Sequence, residues 1–343
     1  MVSTVVVASA GSGKTTHLID QAAHVKAGRV LITTYTNENV DNIRDCVVAR
    51  FGYVPENIDI ESWYSTLLRH GVRPYQNLLS NVGVTQTIAF IQVPQALRFV
   101  PKADVNRYFF TRNGDIYRDR VSDFVCLVDD KTGGKLIQRL EAIYSHILID
   151  ELQDMAGSDL DLLERLFKSK ITMVAVADPR QGTYTTNNSI KHKKAARSGI
   201  VTWLSAMEKA GLITQEERAE SWRCNQVICD FADALYPHLP RTTSRNATRT
   251  PHDGVFHISA ADVPSYVAEF NPVVLRWNKN SDTLGLPATN FGVVKGRSFD
   301  RVLIFPTEPM RKYIKEPNPE MSLDRAKFYV AVTRARYSVA FVV

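Results

Sequence analysis

The sequence predicts an α/β protein built on two parallel sheets, each covered by helices on both faces. Three observations carry this reading. Apolar runs alternate with amphipathic stretches over the first 70 residues, the alternation returns around 146–177, and a second alternating block begins near residue 200. Strand–helix alternation of this kind gives parallel strands joined by crossover helices. A chain of 343 residues is also too long for one ordinary core, so more than one domain is expected.

Taken in order, Thr4–Ala8 reads as a buried strand and Lys14–Lys26 as the helix after a glycine-rich turn. Arg29–Thr34 is the second strand, Asn37–Arg50 the second helix, Asn57–Glu61 the third strand and Ser62–His70 the helix that follows it. Residues 71–140 break the pattern. They are rich in Asn, Gln, Arg and aromatics with weak periodicity, and read as a small inserted subdomain of helical character. His146–Asp150 restores the strand signal, followed by a helix over Asp159–Lys168 and a strand over Ile171–Ala177. In the second block the strands are Val255–Ile258, Val273–Trp277, Arg301–Phe305 and Ser338–Val343, with helices near 224–236 and 322–335. Pro306, Pro309, Pro317 and Pro319 mark 306–321 as a loop. The resulting division is 1–70 with 141–200 as a first domain, 71–140 as its insertion, and 201–343 as a second domain.

Composition narrows the class. Hydrophobic residues make up 44% and charged residues 23%, the range of ordinary globular proteins. There is no apolar run of about 18 residues to span a membrane, and the N-terminal residues lack the basic segment of a secretory signal. Cys46, Cys126, Cys224 and Cys229 form no C-x-x-C pair, so neither a zinc site nor a disulfide framework is indicated. Reduced thiols in a cytoplasmic protein are the expectation. The net charge of +6 is moderate. Its clustering at Lys191, Lys193, Lys194 and Arg197, and at Arg241, Arg245 and Arg249, suits a phosphate backbone as well as a solvated surface.

Chemistry is written most clearly in Ala8-Ser-Ala-Gly11-Ser12-Gly13-Lys14-Thr15-Thr16, which fits G-x-x-x-x-G-K-[ST] except that Ala8 stands at the first glycine. It follows a strand and opens a helix. Gly11 and Gly13 let the backbone N–H groups turn inward around a phosphate, and the helix N-terminus adds partial positive charge. Lys14 neutralises the outer phosphate oxygens, and the Thr15 hydroxyl suits a magnesium shell. In Ile147-Leu-Ile-Asp150-Glu151-Leu-Gln-Asp154 two carboxylates follow an apolar strand and would face that loop. Asp150 is placed to hold magnesium, and Glu151 to orient and deprotonate an attacking water. In Ala177-Asp-Pro-Arg-Gln181, Gln181 is placed to sense the terminal phosphate. Tyr184, three residues on, presents a ring either to a base or to the core.

With these residues in order, the chain resembles the UvrD/Rep branch of superfamily 1 helicases. Thr33-Thr-Tyr35-Thr36-Asn37, Ser62-Trp63-Tyr64, Glu220-Ser-Trp-Arg223-Cys, Val274-Leu-Arg276, Lys295-Gly and Thr333-Arg334 correspond to further motifs of that branch. Residues 71–140 match poorly. The resemblance implies two RecA-like P-loop domains, ATP with Mg2+ as cofactors, and single-stranded DNA as partner, with RNA left open. It assigns Arg223 and Arg334 as cations that stabilise charge on the transferring phosphoryl group. It assigns Tyr35, Thr36, Asn37, Trp63, Tyr64, Tyr184, Arg276 and Lys295 to strand contact. It also implies a 3′ to 5′ translocase or helicase.

The departures point to a second reading. Asn290, Gly292 and Ser298 stand where the family places Thr, His and Glu, and a large second insertion has no counterpart. This compact build is similar to that of the helicase-like subunit of the Gabija defence system, which works with a nuclease. A nucleotide-gated, nucleic-acid-sensing subunit that regulates a nuclease or effector partner is therefore the alternative.

Overall fold

The computed structural model describes residues 2–189 and 191–343. The chain forms two compact units: Met1–Val7 with Lys14–Glu216, and Ala8–Gly13 with Glu217–Val343. Each holds its own parallel sheet, of six and five strands, consistent with two RecA-like domains.

In the first unit the elements run β1 Ser3–Ala8, α1 Lys14–Ala23, β2 Val30–Thr34, α2 Asn37–Phe51, β3 Ile58–Ser62 and α3 Trp63–Thr66. The insertion follows, with β4 Ile88–Ala89, α4 Val105–Phe109, β5 Ile116–Tyr117, α5 Val121–Lys131 and α6 Lys135–Ile143. Then come β6 His146–Ile149, α7 Ser158–Phe167, β7 Thr172–Ala177, α8 Ile200–Lys209 and β8 Ile213–Arg218. The strand order is β3-β2-β6-β7-β1-β8. The mostly apolar character of the central strands follows from burial on both faces. Every residue of β2 is buried, with Ile32 between Ile60 of β3 and Leu148 of β6.

Because these strands are parallel, their C-terminal ends share one edge of the sheet. Within this unit the residues that leave that edge are Tyr35 after β2, Trp63 after β3, Asp150 after β6 and Asp178 after β7. That edge is where open α/β sheets place their ligands. The segment after β2 is fixed by its own cap. The Thr36 side chain accepts from the Asn39 N–H at the start of α2, and the helix stops at Gly52, whose φ of 82° suits the left-handed turn.

Two expectations need correction here. The helix expected over Ser62–His70 is α-helical only through Thr66, and Leu67–Val72 continue as a wider π turn. Gly71 in that turn lies so close to α5 that a β-carbon would come within 2.5 Å of a Val125 methyl. The insertion is mixed rather than purely helical: α4, α5 and α6 supply its ordered core, and the two-residue β4–β5 ladder pins a long loop that precedes α4.

In the second unit β9 Glu220–Ser221 pairs with β10 Thr243–Ser244. Around them lie α9 Gln226–Ala234, β11 Gly254–Ile258, α10 Val263–Phe270, β12 Val273–Arg276, β13 Thr289–Asn290, β14 Phe299–Phe305, α11 Glu308–Lys315, α12 Arg325–Val332 and β15 Ala335–Val342. The sheet order is β11-β15-β14-β12-β13. Phe328, Tyr329, Val302, Ile304 and Phe341 are buried in its core. The expected loop over 306–321 contains a helix instead. Pro309 occupies the first turn of α11, where its missing N–H costs no hydrogen bond, and Met310, Tyr313 and Ile314 bury one face.

Candidate active site and strand cleft

The first unit gathers Lys14, Thr15, Asp150, Glu151 and Gln181 through short polar links. The Thr15 hydroxyl donates to Asp150 Oδ2 at 2.7 Å. Lys14 Nζ lies 3.7 Å from Asp178 Oδ2, and Gln181 Nε2 donates to the same oxygen at 2.6 Å. Asp178 is fully buried and caps the Pro179–Gln181 turn by accepting from the Arg180 N–H at 3.1 Å. It therefore fixes both the lysine and the glutamine. Its only sequence signal is a polar residue before proline at a strand end, and its role was not read from the sequence.

Glu151 takes φ 59° and ψ 44°, the left-handed region that a residue with a β-carbon seldom occupies. Gln153 holds its carboxylate: Nε2 donates to Glu151 Oε2, while Gln153 Oε1 accepts from the Asp178 N–H at 2.9 Å. Gln153, buried and also without an assigned role in the sequence reading, thus ties the two acidic turns together. Burial, and then the neighbouring Glu151 charge, push the Asp150 carboxyl up to about 6, while the Thr15 hydroxyl and Lys14 pull it back. A cation at this point would favour the ionised form.

The donor set fits magnesium. Thr15 and Asp150 offer two hard oxygens side by side, and Mg2+ typically takes one or two protein ligands with phosphates and water making up the rest. Among the described residues no cluster of three or more His, Cys, Asp or Glu forms an all-protein cage. Thr16 is exposed on α1.

The glycine half of the loop, Ala8–Gly13, belongs to the second unit. Gly11 and Gly13 have φ of 76° and 77°, as the inward-turning loop requires. A β-carbon on Gly11 would lie 2.7 Å from both Arg223 Cβ and Ser221 Oγ, so this close approach demands glycine. The Gly11 carbonyl accepts from the Trp222 N–H at 2.9 Å, and the Ala10 N–H donates to the Tyr329 hydroxyl at 3.3 Å. Ser12 N–H reaches back to the Ser9 carbonyl at 3.4 Å. Arg223 and Arg334 converge on one residue: Arg223 Nη1 donates to the Thr333 carbonyl at 3.1 Å, and Arg334 Nη2 to its hydroxyl at 3.4 Å. Arg334 is 1% exposed and also donates to the carbonyls of Val330 and Arg297. Trp222, beside Gly11 and 65% exposed, is a ring that the sequence reading quoted without assigning.

Five of the eight expected strand-contact residues line one cleft of about 480 Å3 in the first unit: Tyr35, Thr36, Asn37, Tyr64 and Tyr184. Tyr35 packs against Tyr64 at 5.7 Å between ring centroids and against Tyr184 at 6.1 Å. The Tyr35 hydroxyl donates to the Thr185 carbonyl at 3.4 Å and that of Tyr64 to the Thr186 carbonyl. Burial pushes both phenols above their ordinary range. Trp63 is corrected by the structure. It is 2% exposed and its indole N–H donates to buried Asp159 at 2.6 Å, so the ring has no face left for a base. Arg276 and Lys295 lie in the second unit, outside this cleft. Arg276 Nε donates to Asn290 Oδ1 at 3.2 Å, and Lys295 follows the Phe291–Val294 turn. The lining also includes Phe90, from the insertion, which no motif signalled.

Residues 75–192 match the family model of the UvrD/REP helicase N-terminal domain. The match runs through most of the insertion, the part that motif comparison aligned poorly, and through both acidic turns. It covers a minority of the chain. No curated protein matches. Among solved structures, the chain is similar to Arterivirus nonstructural protein 10 (helicase), with 16% identity and a TM-score of 0.47 over 99% of this chain and 59% of that one. The complex of the Arterivirus protein with DNA gives 15% identity, a TM-score of 0.49, and coverage of 99% and 61%. PRRSV nsp10 (helicase) gives 19%, 0.24, 99% and 54%. The chain thus spans about three-fifths of the length of the first two. Among the described residues, no helix is long and apolar enough to cross a membrane.

Proposed function

We propose that this protein is an ATP hydrolase that couples turnover to 3′ to 5′ movement along single-stranded DNA. The observation that carries the reading is the joint placement of Lys14, Thr15, Asp150, Glu151 and Gln181 at the C-terminal edge of one parallel sheet. Lys14 and the loop N–H groups bind the phosphates of ATP. Thr15 and Asp150 hold Mg2+, which when bound offsets charge on the outer phosphates. Glu151, aimed by Gln153, orients water and takes its proton. Gln181 reports the terminal phosphate through Asp178. Arg223 and Arg334 supply the cations that phosphoryl transfer requires, and the exposed Trp222 ring stacks on the nucleotide base. The tyrosine cleft grips the strand.

The burial of Arg334 on backbone carbonyls favours one alternative, a nucleotide-gated sensing subunit with slow turnover that regulates a nuclease or effector. Magnesium-dependent ATP turnover, measured with and without a dT oligomer, separates the two. The motor reading expects strand-stimulated turnover, loss of nucleotide binding in Lys14→Ala, and retained binding without turnover in Glu151→Gln. Wild-type turnover in Glu151→Gln would overturn the assigned chemistry. Nucleotide-dependent strand binding without turnover would favour the sensor.

A further inference from the structure

We propose that the cleft of the first unit is a pocket for one unstacked nucleobase, and that Phe90, carried by the insertion, is the ring that closes it. This rests on the strand-binding reading above and adds to it a residue and a mode of contact.

Two ring pairs bound the cleft. On one side Tyr35 and Tyr184 lie 6.1 Å apart, and on the other Tyr64 and Phe90 lie 5.4 Å apart, with planes 85° to each other. Tyr35 and Tyr64, at 5.7 Å, join the pairs across the floor. The floor rings are fixed, because both phenol hydroxyls are tied to backbone carbonyls of the 185–186 turn. The rim rings are open: Phe90 is 64% exposed and Tyr184 37%. A cleft of about 480 Å3 lies in the range of small-ligand sites. Its aromatic walls suit a planar partner, since flat π faces stack on one another in offset or edge arrangements.

Asn37, Gln86 and Thr87 also line the cleft. With Thr36, Ser62 and Ser65 they bring amide and hydroxyl groups beside the rings. A nucleobase has an aromatic face for the walls and a donor–acceptor edge for these groups, whereas an aliphatic side chain would use neither fully. Stacking tolerates any base, which suits a grip on arbitrary sequence. Gln86, Thr87 and Phe90 all come from the insertion, so that segment becomes part of the strand site itself.

The test compares a short dT oligomer with a fully abasic oligomer of equal length, by fluorescence anisotropy of the full chain. Wild type should bind dT at least about tenfold more tightly than the abasic strand, as loss of base stacking requires. Phe90→Ala should narrow that ratio to about two- to threefold by weakening dT binding alone, with an unchanged melting temperature because the ring is exposed. Phe90→Tyr should restore the wild-type ratio. If Phe90→Ala leaves the ratio unchanged while Tyr35→Ala narrows it, the insertion does not close the pocket, although the strand reading survives. Equal binding of both oligomers by wild type would overturn the base pocket. Binding of neither would instead remove the strand reading on which it rests.

Discussion

Replacing Asp159 with asparagine probes how the tyrosine cleft is held in place. Asp159, in the first turn of α7, is 1% exposed. Its Oδ1 accepts from the Trp63 indole N–H at 2.6 Å and from the Ser122 hydroxyl. Its Oδ2 accepts from the Thr186 hydroxyl and from Asn187 Nδ2 at 3.1 Å. Burial raises its pKa, and the bonds from Ser122, Thr186 and Trp63 pull it back. One carboxylate thus joins the third strand's helix, the insertion and the turn after Tyr184. Asparagine keeps the shape but turns an NH2 group toward one of the two donor pairs. Each pair contains one hydroxyl, which can rotate and accept, and one obligate donor, which cannot. In one orientation the Trp63 N–H is orphaned; in the other Asn187 Nδ2 loses this acceptor and keeps only the Ala156 carbonyl, so the expected cost lies near the low end of about 1–3 kcal/mol. Asp159→Ala removes the acceptor from both sides and leaves a void, so roughly twice that loss is expected. Urea unfolding followed by tryptophan fluorescence measures the shift. A loss within about 0.5 kcal/mol of wild type in Asp159→Asn would refute the claim that the carboxylate organises this turn.

Three further outcomes are expected. Arg223→Ala should keep ATP affinity within a few-fold and cut turnover about a hundredfold or more; because Arg334→Ala would strand buried carbonyls, Arg334→Lys is the cleaner partner, and equal losses in affinity and rate would sink the transition-state role of either. Trp222→Ala should weaken binding of a fluorescent ATP analogue about tenfold with little change in saturated turnover, whereas an unchanged dissociation constant would remove the ring from the nucleotide site. Burial, with help from Arg139 and Arg69, lowers the pKa of His70 to about 4, so between about pH 6.5 and 4 the unfolded chain binds the extra proton at this residue; the His70 contribution to stability should therefore fall as the pH drops through that window, opposite in sign to that of the raised Asp150 carboxyl. A folded chain carrying His70→Gln should lose that part of the slope, and an unchanged slope would assign it elsewhere.

The sheet of the first unit was legible because its signal is local. Val5, Ile32, Leu148 and Val174 sit in short apolar runs and Ile60 in an alternating one, and the observed strands from β1 to β7 in the parallel sheet agree with expectation to within about two residues. The glycine turn between β1 and α1 was legible for the same reason, since Gly11 to Thr15 form one short segment. What depended on distant partners was not. Trp63 reads as a ring beside the functional edge until Asp159, nearly a hundred residues on, claims its N–H. Phe90 carries no motif, and only folding brings it to Tyr64. β8, with the sequence ITQEER, was invisible because an edge strand need not be apolar. The α11 helix was hidden by its prolines: four within 306–321 argue for a loop, yet one of them stands where a helix begins.

The backbone of Glu151 has a consequence for how this protein could be made more durable. A residue with a β-carbon in the left-handed region costs the native state on the order of 1–2 kcal/mol. Glycine would relieve that cost at once and would remove the carboxylate with it. With Glu151 in the proposed role, selection for heat resistance and selection for turnover pull in opposite directions at this position. A hardened variant that still works must gain its stability elsewhere, at caps, loops and surface pairs, and leave this one uncomfortable residue as it is.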